Sequence, residues 1–487
     1  MNHYLRAHRT EERVKRLNRL LLLAVISWLA TGTTALLCFA PWRVNAREVT
    51  MPQSLRVWPP TDAPTQFVLG PEALVSSNQS GGDLRCEPSA AIFKSRVVVA
   101  WNDSYGGLHG ASPVGTNIGW AISEDRGKTF RFGGYLPLAQ GDPATPAADS
   151  RLAVDGEGNF FLEALSWQGQ FTKLQLYVMP NNAAEWRKLP DPVVYEKSKG
   201  EEYVDKPAMS VTGNRIAIVY TEKRQTAGPT ISAVFSYDRG QTWSIPAQLS
   251  GATNRVRSSS AITINKNEVV ATWTEGDSSN ATEIWFSRSI DGGKSFSVGA
   301  LAYQLRRPFT PPRAYRMGPG QMADISNDTS LASVNNSPGD TTYYLSCVEG
   351  TEIGSDVVLM AYDAKSQKWS APVRVPADSK GTVKIFSSMA LIGGRPALLY
   401  YQRNDVSDAI TDVYLSILTE RNHFESMKLN TESSDWAATK GDMKYAPIQR
   451  IFGDYISLAS DGRSLAAAWT DGRQGMPRIY ARIVGVD

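Results

Sequence analysis

SEDRGKTF at Ser123–Phe130, SYDRGQTW at Ser236–Trp243 and SIDGGKSF at Ser289–Phe296 spell one turn three times, S-x-D-x-G-x-[TS]-[WF]. A self-similar turn is the sequence mark of a repeat architecture. Each residue type has a use. Asp125, Asp238 and Asp291 can accept backbone N–H bonds inside their own turns, and Gly127, Gly240 and Gly293 supply the positive φ of a tight reversal. The closing aromatic is left to pack between neighbouring units. The pattern needs no substrate to explain it, so these six residues are expected to be structural and to lie on the face away from any ligand.

Upstream of each turn stands an apolar run that ends in an aromatic and then an acid. These runs read VVVAWNDS (Val97–Ser104), IAIVYTEKR (Ile216–Arg224) and VVATWTEG (Val269–Gly276). TTYYLSCVEG (Thr341–Gly350), ALLYYQR (Ala397–Arg403) and LAAAWTDGR (Leu465–Arg473) repeat the run without a clean turn. Short stretches of Val, Ile, Trp and Tyr bounded by Gly, Asn, Asp and Ser are strands. No sustained 3.6-residue apolar period follows the N-terminus, so an all-β protein with few helices is expected.

Unit starts fall near Pro88, Arg151, Pro207, Ser259, Thr329, Ser387 and Asp454, about fifty to seventy residues apart, a fit for four-stranded propeller blades. This spacing predicts a β-propeller of seven blades over 66–487, or six if the degenerate second unit (GNFFLEAL, Gly158–Leu165) or the fifth is an insertion. The last unit stops one strand short at RIYARIV (Arg478–Val484). QFVLGPEALVSS (Gln66–Ser77) is expected to supply the missing strand and so remove an open sheet edge.

The repeated turn is the Asp-box, and the repeat resembles the sialidase-like, BNR-repeat family of β-propellers over nearly the whole of 66–487. The resemblance implies an exo-glycosidase acting on a surface or acidic sugar. It also implies an Arg-Ile-Pro on the first inner strand, an acid-x-Arg after the next strand, and a Tyr nucleophile, which is an exception among glycosidases. Here the corresponding stretch reads Arg85-Cys86-Glu87-Pro88, with Pro one place later. The next strand ends Asp103-Ser104-Tyr105, without the Arg. Acid-x-Arg occurs instead at Glu222-Lys223-Arg224 and Asp471-Gly472-Arg473, and Gly453-Asp454-Tyr455 sets an acid beside a Tyr.

Four antiparallel strands per blade place the starts of inner strands and the ends of second strands on one face. Glu87, Asp149, Asp205, Asp328 and Asp454 belong to the first set. Asp103, Glu222, Glu275, Glu349 and Asp471 belong to the second, with Arg224, Arg403 and Arg473 just beyond. Carboxyl groups gathered in a concave mouth suit ligand binding or glycosidic chemistry. The competing structural reading is that such acids bond neighbouring backbone and that the Arg residues neutralise them. The expected assignment puts Asp103, Asp454 and Tyr455 in the chemistry. It gives substrate binding to Arg85, Glu222, Arg224, Arg403, Asp471 and Arg473, since an Arg fork takes a carboxylate at two points. The expected partner is a glycan or small acidic ligand. A non-catalytic ligand-binding propeller, or a scaffold for another envelope protein, are the alternatives.

The 487 residues are 42 % hydrophobic and 10 % aromatic, with 39 Gly and 27 Pro, which suits a folded, turn-rich chain rather than a disordered one. Of 51 Lys+Arg and 48 Asp+Glu, eight and two lie in residues 1–47, leaving 43 against 46 in the remainder. The basic balance therefore belongs to the N-terminal flank, and the rest carries no nucleic-acid footprint. Leu20–Ala40 is uncharged and long enough to cross a bilayer, and the basic residues 1–19 before it place the N-terminus in the cytoplasm. A membrane anchor with an exported propeller (periplasmic or extracellular), tethered by 41–65, is expected; cleavage of a signal peptide after Ala46 is the alternative and gives a secreted protein. Cys86 and Cys347 fall on well-separated units and are expected to stay unpaired. With four His and no C-x-x-C or H-E-x-x-H, neither a metal site nor a cofactor is expected.

Overall fold

Val97-Val98-Val99-Ala100-Trp101 is apolar at every position because both faces of its strand are covered. Val97, Val99 and Trp101 pack against Ala466, Ala468 and Ile479 on one side. Val98 and Ala100 pack against Phe160, Leu162 and Tyr177 on the other. Side chains alternate along a strand, so a blade wedged between two others needs an unbroken apolar run where a half-exposed sheet would alternate.

The computed structural model describes residues 66–76, 85–103, 117–137, 145–168, 171–196, 203–223, 228–251, 255–277, 280–309, 316–318, 321–322, 329–337, 340–376, 381–404, 409–420, 422–439 and 453–486. All belong to the unit Leu55–Asp487. Every regular element among them is a strand, and the architecture is an all-β propeller. Leu20–Ala40 lies outside the described residues; among these no helix is long and apolar enough to cross a membrane.

Five blades are separate antiparallel sheets. The first runs outward through Arg85–Phe93, Arg96–Asp103, Asn117–Ser123 and Arg131–Tyr135. The second, third and fourth begin on Thr145–Val154, Tyr203–Thr212 and Val256–Asn265. The closing blade orders Ser457–Ser460, Ser464–Asp471, Arg478–Val486 and then Phe67–Leu74 from the other end of the chain. Leu74 pairs with Tyr480 and Phe67 with Val486, so the N-terminal strand completes the last blade.

Seven separate units were expected, and the structure differs there. The stretch from Ser330 to Asp435 forms one ten-stranded sheet, because Ser355 pairs in parallel with Val383 and ties Ser355–Asp363 to Val383–Ile392. The inner strands still touch in ring order, from Arg85–Phe93 round to Ser457–Ser460 and back to the first. Serine hydroxyls stitch neighbours in this ring. Leu152 N–H donates to Ser89 at 2.7 Å, Leu458 N–H to Ser388 at 3.0 Å, and Ala90 N–H to Ser457 at 2.9 Å. These bonds satisfy backbone donors that face the channel and have no strand partner on that side. Cys86 and Cys347 are buried free thiols.

The three S-x-D-x-G turns share one bond set. Asp125 Oδ1 accepts from the N–H groups of Lys128 (3.1 Å) and Thr129 (3.0 Å), and Ser123 Oγ accepts from Gly127 N–H at 2.8 Å. Asp238 and Asp291 repeat it. Hydrogen bonds, first from the Thr129 and Thr242 hydroxyls, hold Asp125 and Asp238 down to about 2. Two successive residues, not one, take positive φ: Arg126 (60°) precedes Gly127 (74°), and Arg239 (59°) precedes Gly240 (84°). Each turn bonds the inner hairpin of its own blade, as Arg126 N–H does to Ser95 O at 2.8 Å. Asp125→Ala is expected to lower the apparent Tm by about 1–4 °C and to leave ligand binding unchanged; thermal denaturation beside a binding assay checks both.

Candidate functional site

Five inner strands carry the same fault in their ladders. Between Cys86 and Ser89 two residues, Glu87 and Pro88, face the single Trp101 of the next strand. Asp149-Ser150 face Ala164, Lys206-Pro207 face Tyr220, Ser259-Ser260 face Trp273, and Phe386-Ser387 face Tyr400. These are β-bulges, which bend a strand and re-aim its side chains. The first bulged residue is left-handed each time: Glu87 at φ 56°, Asp149 at 55°, Lys206 at 49°, Ser259 at 58° and Phe386 at 56°. Such φ values cost non-glycine residues about 1–3 kcal/mol each and gather where function over-determines the backbone. The inner strands enclose a channel of about 550 Å³, lined among others by Arg151, Lys206 and Tyr455.

Three of these bulges and the start of the closing blade bring charges together at one mouth. Lys206 Nζ forms an ion pair with Asp454. The partners come from the third and closing blades, with the first and second between them in the ring, so the pair bridges the mouth. Asp454 N–H donates to Glu87 Oε1 at 2.9 Å, and Asn102 Nδ2 donates to Glu87 Oε2 at 2.6 Å. The Arg151 guanidinium lies 3.6 Å from the centre of the Tyr455 ring, a cation–π distance, while its Nε donates to Pro207 O at 2.9 Å. Asp205 holds Lys223 and accepts from Lys206 N–H at 3.0 Å.

Burial, followed by the carboxylates of Asp454 and Asp149, pushes the Glu87 carboxyl well above its ordinary range against the pull of Lys206 and Arg151. Burial also raises Asp149, with Lys206 and Arg151 opposing and Asp205 and Asp454 adding to the rise. Behind them Glu163, paired in register with Arg151, is fully buried, and neither carboxyl oxygen has a hydrogen-bond partner among the described residues. Burial raises it well above the carboxylate range, with Arg151 opposing. The Tyr455 hydroxyl is likewise buried without a hydrogen-bond partner among the described residues, and burial holds the phenol protonated far above its usual range.

Gly453, which precedes Asp454 at the start of the closing blade, has φ 79°. A Cβ there would stand 2.4 Å from Glu87 Cγ and 3.0 Å from Glu87 N. Gly453→Ala should therefore push Glu87 off the Asp454 N–H and cost about 1–3 kcal/mol of stability. Chemical denaturation reads that loss, and parent-like stability would show that the mouth tolerates slack.

Asp454 and Tyr455, expected in the chemistry, stand at this mouth with Glu87, Asp149 and Asp205. Asp103 stands elsewhere: it accepts from Trp101 Nε1 at 2.9 Å and pairs with buried Arg85 at 3.1 Å. Asp471 repeats that arrangement, accepting from Trp469 Nε1 at 3.0 Å. In these two units the aromatic-x-acid pattern is an indole bonded to the carboxylate two residues on, whereas Trp273 Nε1, two before Glu275, has no hydrogen-bond partner among the described residues. Arg473 spreads its fork over Asp471 and Glu72, Arg403 Nε donates to Thr411 at 3.2 Å, and Glu222 accepts from Ser232 at 3.1 Å. None of Arg85, Arg403 and Arg473 lines the channel, and of the mouth residues only Arg151, Lys206 and Tyr455 do. Arg224 and Asp328 lie outside the described residues. Sequence reasoning passed over Lys206, Arg151 and Glu163. The signal for the first was the doubled Lys206-Pro207 at a strand start; Glu163 left none, as a lone acid in the degenerate GNFFLEAL.

No protein-family model matches the chain, and no curated protein does. Solved structures do resemble it. An α-L-arabinofuranosidase of Fusarium graminearum with an iminosugar inhibitor is 11% identical, covering 86% of this chain and 98% of its own, with a TM-score of 0.49. An α-L-arabinanase of Penicillium chrysogenum complexed with arabinobiose is 13% identical over 72% of this chain and 98% of its own, TM-score 0.48. The NanB sialidase of Streptococcus pneumoniae is 12% identical over 85% and 70%, TM-score 0.38.

Proposed function

We propose that the mouth built by Glu87, Asp149, Arg151, Lys206, Asp454 and Tyr455 binds a sugar unit of a glycan, and that its carboxyl groups carry acid–base chemistry at a glycosidic bond. The observation behind this reading is the meeting of three carboxyl groups from three blades at one buried rim. Such chemistry needs one carboxyl protonated and another ionised at the same pH. Carboxyls crowded together separate in that way, because the second charge costs more than the first. Glu87, raised and aimed across at Asp454, takes the role of proton donor. Asp454, beside the Lys206 ammonium, takes that of the ionised partner. Lys206 and Arg151 are the cations within reach of an acidic substituent, and Arg85, Arg403, Asp471 and Arg473 hold strands in place.

Two further features belong to this reading. The ten-stranded sheet acts as two blades sharing one parallel pair, which gives the ring seven units. Leu20–Ala40 anchors the chain, with the propeller outside the cytoplasm.

A non-catalytic ligand-binding propeller is favoured by one observation: Lys206 is engaged with Asp454, and Tyr455 lies under Arg151 with its phenol protonated. A panel of chromogenic glycosides, sialosides included, separates the two readings. Turnover of any member that is lost in Asp149→Asn supports the enzyme. Saturable sugar binding without turnover across the panel supports the binding protein.

A further inference from the structure

Glu163 makes no bond that holds the fold together. It stands between Phe161 and Leu165, on a strand face packed against Ile218 and Tyr220 of the third blade, and neither carboxyl oxygen has a hydrogen-bond partner among the described residues. A buried carboxyl left in this way is costly, and packing alone would favour an apolar residue. A counter-charge nevertheless lies beside it. Arg151 is its opposed partner on the inner strand, and opposed residues of an antiparallel pair set their Cβ atoms about 4.5–5.5 Å apart on one face. The Arg151 guanidinium reaches forward instead, to Pro207 O and over the Tyr455 ring. Both Arg151 and Tyr455 line the channel, yet Tyr455 is only 3% exposed, with the guanidinium on its face.

The Arg151 side chain thus has two seats within its own length, an aromatic ring in front and a carboxyl behind. We propose that Glu163 is a positioning residue for this mouth: when a sugar ring takes the Tyr455 face, Arg151 turns back and rests on Glu163 as an ion pair. This rests on the sugar-binding reading of the mouth. The C–H face of a sugar and a guanidinium compete for one aromatic surface, and a ligand shifts a two-position group by its preference for one position. Burial keeps the Glu163 proton in place while Arg151 is forward. As the guanidinium arrives, the carboxyl O–H bond breaks and the proton leaves to solvent. The other titratable groups facing Glu163 are few. Asp149 on the inner strand opposes its ionisation, Tyr220 of the third blade meets the Tyr195 hydroxyl at 3.2 Å, and the strand on its other side offers only Leu176.

Calorimetric titration with the free monosaccharide of each panel glycoside, in buffers of different ionisation enthalpy, counts the protons released on binding. The parent is expected to release about one proton more than Glu163→Gln, a difference that removes whatever Glu87 and Asp149 contribute. Since the bound form holds fewer protons, parent affinity should rise with pH up to the raised Glu163 value, and more steeply than in Glu163→Gln. Glu163→Leu should bind several-fold more weakly although its fold is more stable, a divergence that a packing role does not produce. A second arm needs no sugar. Tyr455→Leu removes the forward seat, so adding Glu163→Leu to it should lower the urea midpoint, whereas Glu163→Leu alone raises it. Equal proton counts and equal Kd, or additive effects in the second arm, overturn the proposal and leave the sugar reading standing. A parent that binds no monosaccharide of the panel overturns both.

Discussion

Deletion of residues 1–80 is expected to give aggregated protein with little monomer recovered, where deletion of residues 1–65 leaves a monomeric propeller. The deletion removes Phe67–Leu74 and exposes the whole of Arg478–Val486 as an open edge, a template for pairing with other chains. It strips Phe67 and Leu74 from the core around Tyr480 and Val484, and Val75 from the core around Ile479. Full burial of a side chain such as Val75 stabilises by about 1.5–3 kcal/mol, and the half-buried Phe67 and Leu74 add a part of that each. The loss is a large share of the stability of an ordinary domain, about 5–15 kcal/mol. The deletion also leaves Arg473 without Glu72 and Arg482 without Gly70 O. Size-exclusion chromatography of the truncated and parent chains decides it: a stable truncated monomer would show that closure by this strand is dispensable.

Glu163→Leu is expected to do the reverse and stabilise the fold by about 1–3 kcal/mol, the cost of a buried polar group left without partners. Phe161 and Leu165, on the same face of its strand, already pack into the core between the second and third blades, so the site is apolar. The pH dependence carries the sharper signature. The folded chain keeps the Glu163 proton to higher pH than the unfolded chain, whose Glu titrates near 4.3. Its contribution to stability is therefore complete below about pH 4.3 and is lost as pH rises through the raised folded value. The advantage of the Leu variant should grow over that window. Urea unfolding on either side of it measures the difference, and a variant weaker than the parent at every pH would show that the carboxyl has a structural partner. A residue that destabilises the fold from behind the mouth is what a functional constraint leaves behind.

Much of the fold was legible because its rules are local. A turn that repeats S-x-D-x-G needs only its own eight residues, and the strand before it is read from apolar runs and bounding polar residues. Closure by Gln66–Ser77 was legible from a missing strand at one end and a spare one at the other. The fusion of two expected units was not, since it turns on one parallel pair, Ser355 with Val383, that no spacing announces. The mouth was legible by half. Counting strand ends placed Glu87, Asp149 and Asp454 on one face, yet the same count drew in Asp103 and Asp471, which serve Trp101 and Trp469 instead. What sets Glu87 and Asp149 apart is the bulge, a two-against-one pairing that depends on the neighbouring strand. Lys206 and Asp454 meet 248 positions apart, across blades that are not neighbours, and only the closed ring sets that contact.

A proton given by Glu87 at this mouth is tested by turnover and binding of one hydrolysed glycoside by Glu87→Gln. Gln keeps the shape and its oxygen can still accept the Asp454 N–H, while its NH2 faces Asn102, whose amide turns over to present Oδ1, so circular dichroism and thermal denaturation should stay close to the parent. Turnover is expected to fall by about 10²–10⁴-fold, the usual worth of a positioned acid or base, while Kd for the unreacted glycoside changes little. A folded Glu87→Gln variant that turns over substrate at the parent rate would contradict the account.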